Sequence, residues 1–400
     1  MSHIKPENAD QLEEAIKWAL SEEESVEIIG SGSKQRLGRS VETSHQLDLS
    51  ALTGITLYEP EELVLSARAG TPLVEIQEEL IKNKQYMAFE PMDYGPLLKG
   101  EPDPGTLGGM ISCNLSGPRR LKAGAARDHF LGFSGVSGRG ETFKSGGRVV
   151  KNVTGYDLMK LMAGSYGTLA VMSDITIKVL PAPLKEKSYV LYGLTDEQAN
   201  RAMSVALNSS CEVSSAAHIP QSISSKLPFE ADGRSITVIR IEGYEPSIVY
   251  RADKLASLLI DFGTGTLITD GESRSVWQKV RDAAILSISQ ERSIWRVSLP
   301  PAQGSTFVES LKLEDQAEYY YDWAGGLIWL SLTDDGNASV LRDKLKGMGG
   351  HATLVRSVKT DDAGCPQHPL ESGEHALMKR IKDNFDPKAI LNPGRLYADL

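Results

Sequence analysis

The chain has 400 residues, 40% hydrophobic and 24% charged, an ordinary composition for a globular protein with room for two or three domains. Its net charge of -10 argues against nucleic acid as the main partner and against a polybasic membrane-binding patch. The first ten residues have neither a basic n-region nor an apolar h-region, so no signal peptide is predicted there, and no apolar run is long enough to predict a transmembrane helix.

Helical and extended patterns alternate at the start of the chain. Asn8 is a good N-cap for a helix whose apolar residues recur every three or four positions: Leu12, Ile16, Ala19 and Leu20. A short apolar strand, Val26–Ile29, is followed directly by Gly30-Ser-Gly-Ser-Lys34. A second strand, Leu63–Arg68, precedes a helix that Thr71 is predicted to cap.

The composition changes between Glu101 and Gly147, where glycine, proline, serine and arginine dominate. Such a tract predicts one long functional loop rather than a regular element. A helix near Asp157–Met162 and a strand ending at Leu180 follow. Pro181-Ala-Pro183 then predicts a boundary, beyond which further strands and helices indicate a second domain.

Gly30-Ser-Gly-Ser-Lys34 is a candidate phosphate-binding loop. Glycines after a strand leave successive backbone N–H groups accessible, and such a nest binds anions such as pyrophosphate. The loop does not match the Rossmann motif, because Gln35 stands where a third glycine is needed, and it lacks the ending of a P-loop. A tight turn without a ligand is the alternative.

A second glycine cluster runs from Pro104 to Gly117. Its hydrogen-bonding side chains would add polar groups to a mostly apolar wall, a mixture that suits a large ring system with polar edges. They are Thr106, Ser112, Asn114 and Ser116. An irregular surface loop is the alternative.

The ordered series of motifs resembles the FAD-binding domain shared by vanillyl-alcohol oxidase, p-cresol methylhydroxylase and D-lactate dehydrogenase. The motifs are Gly30–Lys34, Leu47-Asp-Leu-Ser50, Ala69-Gly70, Gly105-Thr-Leu-Gly-Gly109, Arg127-Asp128, Gly164-Ser-Tyr-Gly-Thr-Leu169 and Asn392-Pro-Gly394. Within that family the chain is most similar to the FAD-binding subunit of bacterial glycolate oxidases. That likeness rests on Ser116-Gly-Pro-Arg-Arg120, Gly124-Ala-Ala-Arg-Asp128, the segment Gly146–Asp157 and Lys178-Val-Leu-Pro181.

The resemblance implies an α+β protein of three segments. Residues 1–182 would form a p-cresol methylhydroxylase-type FAD-binding domain of two α/β subdomains, and residues 183–360 an antiparallel α+β cap. Residues 361–400 would return to the FAD domain.

The resemblance also implies a set of FAD-binding residues. Those expected to cradle the pyrophosphate are Gly30, Ser31, Gly32, Ser33 and Lys34. Those expected to line the isoalloxazine and ribityl chain are Gly105, Thr106, Gly108, Gly109, Cys113, Asn114, Ser116 and Gly117. Val171 would lie on the adenine side, and Asn392 would return to the flavin edge.

Oxidation of a 2-hydroxy acid requires a base, a cation for the carboxylate and access to the flavin. Arg119 and Arg120 could bind the carboxylate or stabilise anionic reduced flavin, and His129 is a third candidate catalytic residue; ion pairing and packing are the alternatives. The histidines show no metal-ligand spacing, and the chain lacks the HGxxGDGN-like segment of related dehydrogenases, so no metal site is predicted. Ser33 stands where relatives carry a flavin-linked histidine, which predicts noncovalent FAD.

We therefore predict the FAD-binding subunit of a glycolate (2-hydroxy acid) dehydrogenase or oxidase complex. Cys113, Cys211 and Cys365 are too isolated for an iron–sulfur motif, so such centres would lie on a partner, beside a catalytic FAD subunit of the same complex. The expected location is the cytoplasm, with any membrane contact made through partners. Two alternatives stay open: a stand-alone FAD oxidase of a small hydroxy acid or alcohol, and a flavin-binding scaffold without turnover.

Overall fold

The computed structural model describes residues 2–102, 105–147, 155–228, 231–289, 291–313, 317–333, 338–358 and 366–400. The chain divides into two compact units. The first comprises Met1–Ser116, Gly124–Ala182 and Gly364–Leu400, and the second comprises Gly117–Ala123 and Pro183–Ala363. Pro104, Cys365 and residues 148–154 of the motif that begins at Gly146 lie outside the described residues.

Short strands and helices alternate up to residue 182. The strands are β1 (Ser2–Ile4), β2 (Val26–Ile29), β3 (His45–Asp48), β4 (Ile55–Glu59), β5 (Val64–Arg68), β6 (Gln85–Tyr86), β7 (Phe130–Ser137), β8 (Thr142–Gly146), β9 (Ala170–Lys178) and β10 (Leu180–Pro181). The helices are α1 (Ala9–Glu22), α2 (Leu73–Lys82), α3 (Leu107–Cys113), α4 (Arg120–Ala123), α5 (Ala126–His129) and α6 (Leu158–Met162). Of these, α4 belongs to the second unit.

Two sheets organise the first unit. A parallel sheet has the order β1-β3-β2, and an antiparallel sheet has the order β4-β5-β9-β7-β8. Helix α1 begins as its sequence predicts, because the Asn8 side chain accepts a hydrogen bond from the Gln11 N–H at 3.0 Å. Leu12, Ile16 and Ala19 of its apolar stripe are fully buried, and Leu20 is partly buried, in a core that also contains Val26 of β2 and Val171 of β9.

Two local predictions are wrong. Helix α2 begins after Pro72, and the Thr71 hydroxyl instead donates to the Arg68 carbonyl at 2.7 Å. The glycine-rich tract is not one loop, because it contains α3 and β7. Glycine serves close packing there: a Cβ on Gly108 would lie 2.9 Å from the Ala69 Cβ.

The second unit is built on an eight-stranded antiparallel sheet with the order β14-β11-β13-β12-β16-β17-β15-β18. Its strands are β11 (Lys185–Tyr192), β12 (Ser215–Ile219), β13 (Ile236–Gly243), β14 (Thr266–Thr269), β15 (Ser293–Ser298), β16 (Glu318–Asp322), β17 (Leu327–Leu332) and β18 (His351–Arg356). Its later helices are α7 (Asp196–Leu207), α8 (Glu245–Leu258), α9 (Asp270–Arg281), α10 (Ala284–Ser287), α11 (Gly304–Leu311) and α12 (Ala338–Leu345). An apolar core joins this sheet to helices such as α7 and α8.

The tail carries helix α13 (Ser372–Phe385) and belongs to the first unit. Beyond this helix the backbone pairs with the parallel sheet: the Val26 N–H donates to the Ile390 carbonyl at 2.8 Å, and Leu391 forms a parallel bridge with Val26. The α+β class predicted from the sequence is confirmed. The longest helices of the described ranges have 14 residues, and none has the length and apolarity needed to cross a membrane.

Candidate active site: a glycine-lined cleft in the first unit

A cleft lies in the first unit, where the loop after β2 faces helix α3, strand β9 and the tail. The predicted FAD-binding residues that line it are Gly30, Ser31, Gly32, Ser33, Lys34, Thr106, Gly108, Gly109, Cys113, Val171 and Asn392. Sequence reasoning did not assign Gln35 and Arg395, which also line the cleft.

The loop after β2 presents a row of backbone N–H groups. Those of Ser31, Gly32 and Ser33 donate to no protein acceptor within the described residues. Gly32 has a φ of +79°, a left-handed conformation that favours glycine. The Gln35 N–H closes the turn on the Gly32 carbonyl at 3.1 Å. The loop therefore has the geometry of an anion-binding nest.

The opposite wall is the start of α3, which approaches the loop closely. The Thr106 hydroxyl caps α3 by accepting from the Gly109 N–H at 3.3 Å. A Cβ on Gly30 would lie only 2.4 Å from the Thr106 Oγ1, and a Cβ on Gly105 would lie 2.4 Å from the Lys34 Nζ. Glycine at positions 30 and 105 therefore lets the two glycine segments meet.

Cys113 ends α3 on the cleft wall. Burial raises the pKa of its thiol, and the positive charges of Lys34 and Arg395 oppose this rise without cancelling it. The side chain is therefore a neutral thiol at pH 7, which makes it a poor nucleophile.

The Asn392 side chain connects the tail to two other segments of the cleft by hydrogen bonds. Its Oδ1 accepts from the Ile28 N–H at 2.8 Å, and its Nδ2 donates to the Tyr166 carbonyl at 2.7 Å. The residue has a φ of +43°, which asparagine tolerates better than most residues. Both ends of the side-chain amide are thus engaged in holding the tail in place.

Four predicted FAD-binding residues are not part of the cleft lining: Gly105, Asn114, Ser116 and Gly117. The Asn114 side chain accepts from the Arg127 N–H at 3.1 Å, and the Ser116 hydroxyl accepts from the Ala126 N–H at 2.8 Å. The Gly117 carbonyl accepts from the Trp323 indole at 3.1 Å within the second unit. Asn114, Ser116 and Gly117 thus take part in hydrogen bonds that stabilise the fold.

Arg119 lies in a buried ion network of the second unit. Its Nε donates to both carboxylate oxygens of Glu242 at 3.1 and 2.9 Å, and its Nη2 is 3.4 Å from the Glu186 Oε2. Burial alone would raise the pKa of Glu242, but the charges of Arg240 and Arg119 lower it to about 2. Burial raises the pKa of Glu186. The charge of Arg119 is thus balanced by buried carboxylates.

Arg120 and His129 have different surroundings. The Arg120 guanidinium lies 4.4 Å from the Trp323 ring centroid in the second unit, and that of Arg296 lies 5.1 Å from the same centroid. His129 belongs to the first unit, where it is buried with its ring centroid 5.2 Å from that of Phe89. The three predicted catalytic residues therefore do not form one cluster within either unit.

No group of three or more histidine, cysteine, aspartate or glutamate side chains is arranged to hold a metal ion in the part of the chain that the structure describes.

Family comparisons agree with this fold and cleft. Residues 3–146 match the family described as FAD binding domain, and residues 370–396 match the FAD linked oxidases, C-terminal domain. The chain is therefore an FAD-dependent oxidoreductase. The substrate complex of p-cresol methylhydroxylase has the same fold: its TM-score is 0.70 at 11% identity, covering 99% of this chain and 88% of that one.

Two curated relatives show more closely which FAD-linked oxidoreductases this chain is related to. The glycolate oxidase subunit GlcE of Escherichia coli (strain K12) is 34% identical over 389 residues, which cover 97% of each chain. A D-lactate dehydrogenase of Archaeoglobus fulgidus is 25% identical, covering 99% of this chain and 91% of its own. The chain belongs to the GlcE family of FAD-linked glycolate oxidase subunits, as its sequence motifs indicated.

Proposed function

We propose that this chain binds FAD noncovalently in the cleft of the first unit and takes part, within a complex, in the oxidation of a 2-hydroxy acid such as glycolate. The observation that carries the proposal is the row of N–H groups at Ser31, Gly32 and Ser33, which have no acceptor among the described protein atoms. The pyrophosphate of FAD supplies oxygens for several such donors at once.

The residues of the cleft suit FAD in other respects. Gly108 and Gly109 leave α3 without bulky side chains on the cleft wall, and Val171 adds an apolar surface. Ser33 and the neutral thiol of Cys113 offer no reactive attachment point, which supports noncovalent binding. When bound, FAD supplies the two-electron acceptor; the protein binds, orients and shields the reactants.

The substrate class follows from the relatives. Glycolate and D-lactate, which appear in their names, both carry a carboxylate next to a hydroxyl-bearing carbon. We assign the carboxylate to Arg120, because a guanidinium can bind a carboxylate through two parallel hydrogen bonds. Arg119, which pairs with Glu242, and His129, which packs against Phe89, are assigned to stability instead.

Partner subunits complete the proposal. The relative is named as a subunit, which supports a complex. The three isolated cysteines of this chain form no iron–sulfur motif, so we assign the centre that would take electrons from the flavin to another chain. A second flavoprotein of the complex would carry the catalytic base. Membrane contact, if the complex has one, is assigned to the partners.

The test is anaerobic mixing of the purified protein with excess glycolate or D-lactate while flavin absorbance is followed, alone and with the partner subunits. Without a positioned base, we expect flavin reduction in the isolated chain to be slower by about 10²–10⁴-fold. Acid precipitation of the same sample should leave colourless protein and release FAD. Rapid bleaching by the isolated chain would support a stand-alone enzyme, and no bleaching even with partners would support a scaffold.

A further inference from the structure

Arg395 extends from the tail to the loop after β2. Its Nη2 donates to the carbonyl oxygens of Lys34 at 3.0 Å and Gln35 at 2.6 Å. Its Nη1 donates to the Oε1 of Glu27 on β2 at 3.1 Å. Arg395 and Glu27 are 7% and 8% exposed, so these charge-assisted hydrogen bonds are shielded from water.

Glu27 links this contact to the sheet and to the loop. Its Oε2 accepts from the Gln46 side chain on β3 at 2.9 Å and from the Gln35 side chain at 3.1 Å. The backbone of Arg395 adds another attachment, because its carbonyl accepts from the Arg39 N–H at 3.0 Å. One buried carboxylate thus joins two strands, the loop and the tail.

The contacts of Arg395 fall at the junction of two consecutive turns. The first turn is closed by the Gln35 N–H on the Gly32 carbonyl, and the second by the Leu37 N–H on the Lys34 carbonyl. Because the N–H and C=O of a trans peptide point in opposite directions, fixing the Lys34 carbonyl also orients the Gln35 N–H of the same peptide. That N–H donates to the Gly32 carbonyl and so restricts the peptide that carries the Ser33 N–H, one of the donors that line the cleft.

We propose that Arg395 is a positioning residue, which holds the Gly30–Gln35 loop in the conformation that binds the FAD pyrophosphate. The inference rests on the proposed placement of FAD in the cleft. Its donors are directed to Glu27 and to two carbonyls, and the Glu27 carboxylate balances its charge. Its effect on FAD is therefore exerted through the loop, which is organised before the cofactor arrives and loses less entropy on binding.

The test compares the dissociation constants of FAD and riboflavin, measured by quenching of flavin fluorescence on titration of the deflavinated full chain. Riboflavin carries the same ring and ribityl chain without phosphate. We expect Arg395→Met to raise the dissociation constant of FAD roughly tenfold to hundredfold and that of riboflavin less than twofold. The matched control is Lys388→Met, which removes a positive charge from the same tail. Lys388 forms an exposed ion pair with Glu23, and its replacement should change neither the FAD nor the riboflavin dissociation constant.

A second variant, Glu27→Gln, distinguishes positioning of the loop by Arg395 from direct contact of Arg395 with phosphate. It also replaces Arg395→Met as the test if circular dichroism shows that Arg395→Met does not fold. Glu27→Gln keeps a hydrogen-bonding side chain but removes the charge that anchors Arg395. Positioning predicts weaker FAD binding in Glu27→Gln, whereas direct contact predicts tighter binding, because a negative charge near the phosphates is lost. The proposal would be overturned if Glu27→Gln bound FAD more tightly than wild type or with unchanged affinity. It would also be overturned if either variant lost affinity for FAD and riboflavin equally. A wild-type chain that binds no FAD would instead refute the proposed cofactor site.

Discussion

Lys382 and Asp386 form an ion pair that is almost completely buried in the first unit, with the Lys382 Nζ 2.7 Å from the Asp386 Oδ2. The same ammonium donates to the carbonyl oxygens of Thr168 at 2.8 Å and Leu391 at 2.9 Å. The carboxylate accepts from the N–H groups of Ile390 and Leu391 at 3.0 and 2.8 Å. The pair therefore fixes the turn by which the tail enters the cleft.

Replacing Lys382 should strongly destabilise the protein. Lys382→Met leaves the Asp386 charge buried without its cation, and we expect a loss of about 3–5 kcal/mol in the free energy of unfolding. Guanidinium denaturation followed by circular dichroism measures it. The control, Lys379→Met, breaks an exposed pair with Asp383 on the same helix and should cost less than about 1 kcal/mol. Equal stability of the two variants would contradict the role of the buried pair.

Glu242 should make the stability of the second unit dependent on pH. Its pKa in the folded state is about 2, against an ordinary value of 4.5, so its stabilising contribution is present above about pH 4.5 and is lost as the pH falls towards 2. We expect Glu242→Gln to be less stable than wild type at pH 7, with a difference that shrinks between pH 4.5 and 2.

Denaturation series at several pH values check this expectation. Glu245→Gln, which alters an exposed ion pair with Lys187, is the control and should change the free energy of unfolding by less than about 1 kcal/mol at pH 7. A difference between wild type and Glu242→Gln that stays constant from pH 7 to 2 would refute the assignment.

Gly32 should be intolerant of a side chain. Gly32→Val places a branched residue in a left-handed conformation at φ +79°, next to N–H groups proposed to approach phosphate. We expect the dissociation constant of FAD to rise at least about a hundredfold, with the circular dichroism spectrum retained. Gly54→Ala, at φ +113° with open space around its Cβ, controls for backbone strain alone. Wild-type FAD affinity in Gly32→Val would refute the pyrophosphate assignment.

Arg120 should affect substrate binding rather than cofactor binding. In the assembled complex we expect Arg120→Met to raise the glycolate concentration for half-maximal flavin reduction about tenfold or more, because a charged hydrogen-bond donor is lost. FAD affinity should stay within about twofold. Arg234→Met removes another guanidinium stacked on an aromatic ring, 4.5 Å from the Tyr192 centroid, and should leave reduction unchanged. Equal effects of the two substitutions would exclude a specific role for Arg120.

Local sequence patterns determined much of the first unit. The Asn8 cap and the apolar spacing of α1 are readable because helix formation depends on residues within four positions of one another. Strand β2 and the glycines that follow it are likewise local signals. The ordered motifs added the family, the fold class and FAD, since each motif keeps its place along the chain.

Only the tertiary structure decided which distant residues share an environment. Glu27 and Arg395 meet across 368 positions, and Ile28 meets Asn392 across 364, contacts that no local spacing encodes. The sequence makes Arg119 a candidate for binding a substrate carboxylate, with ion pairing as the alternative, but it does not reveal the partner: folding pairs Arg119 with Glu242, 123 positions away. The glycines of α3 read as a loop because their helical state is stabilised by close backbone packing, which depends on neighbours brought together by the sheet. Propensity acts through adjacent residues, whereas burial and ion pairing act through whatever folding places within a few ångströms.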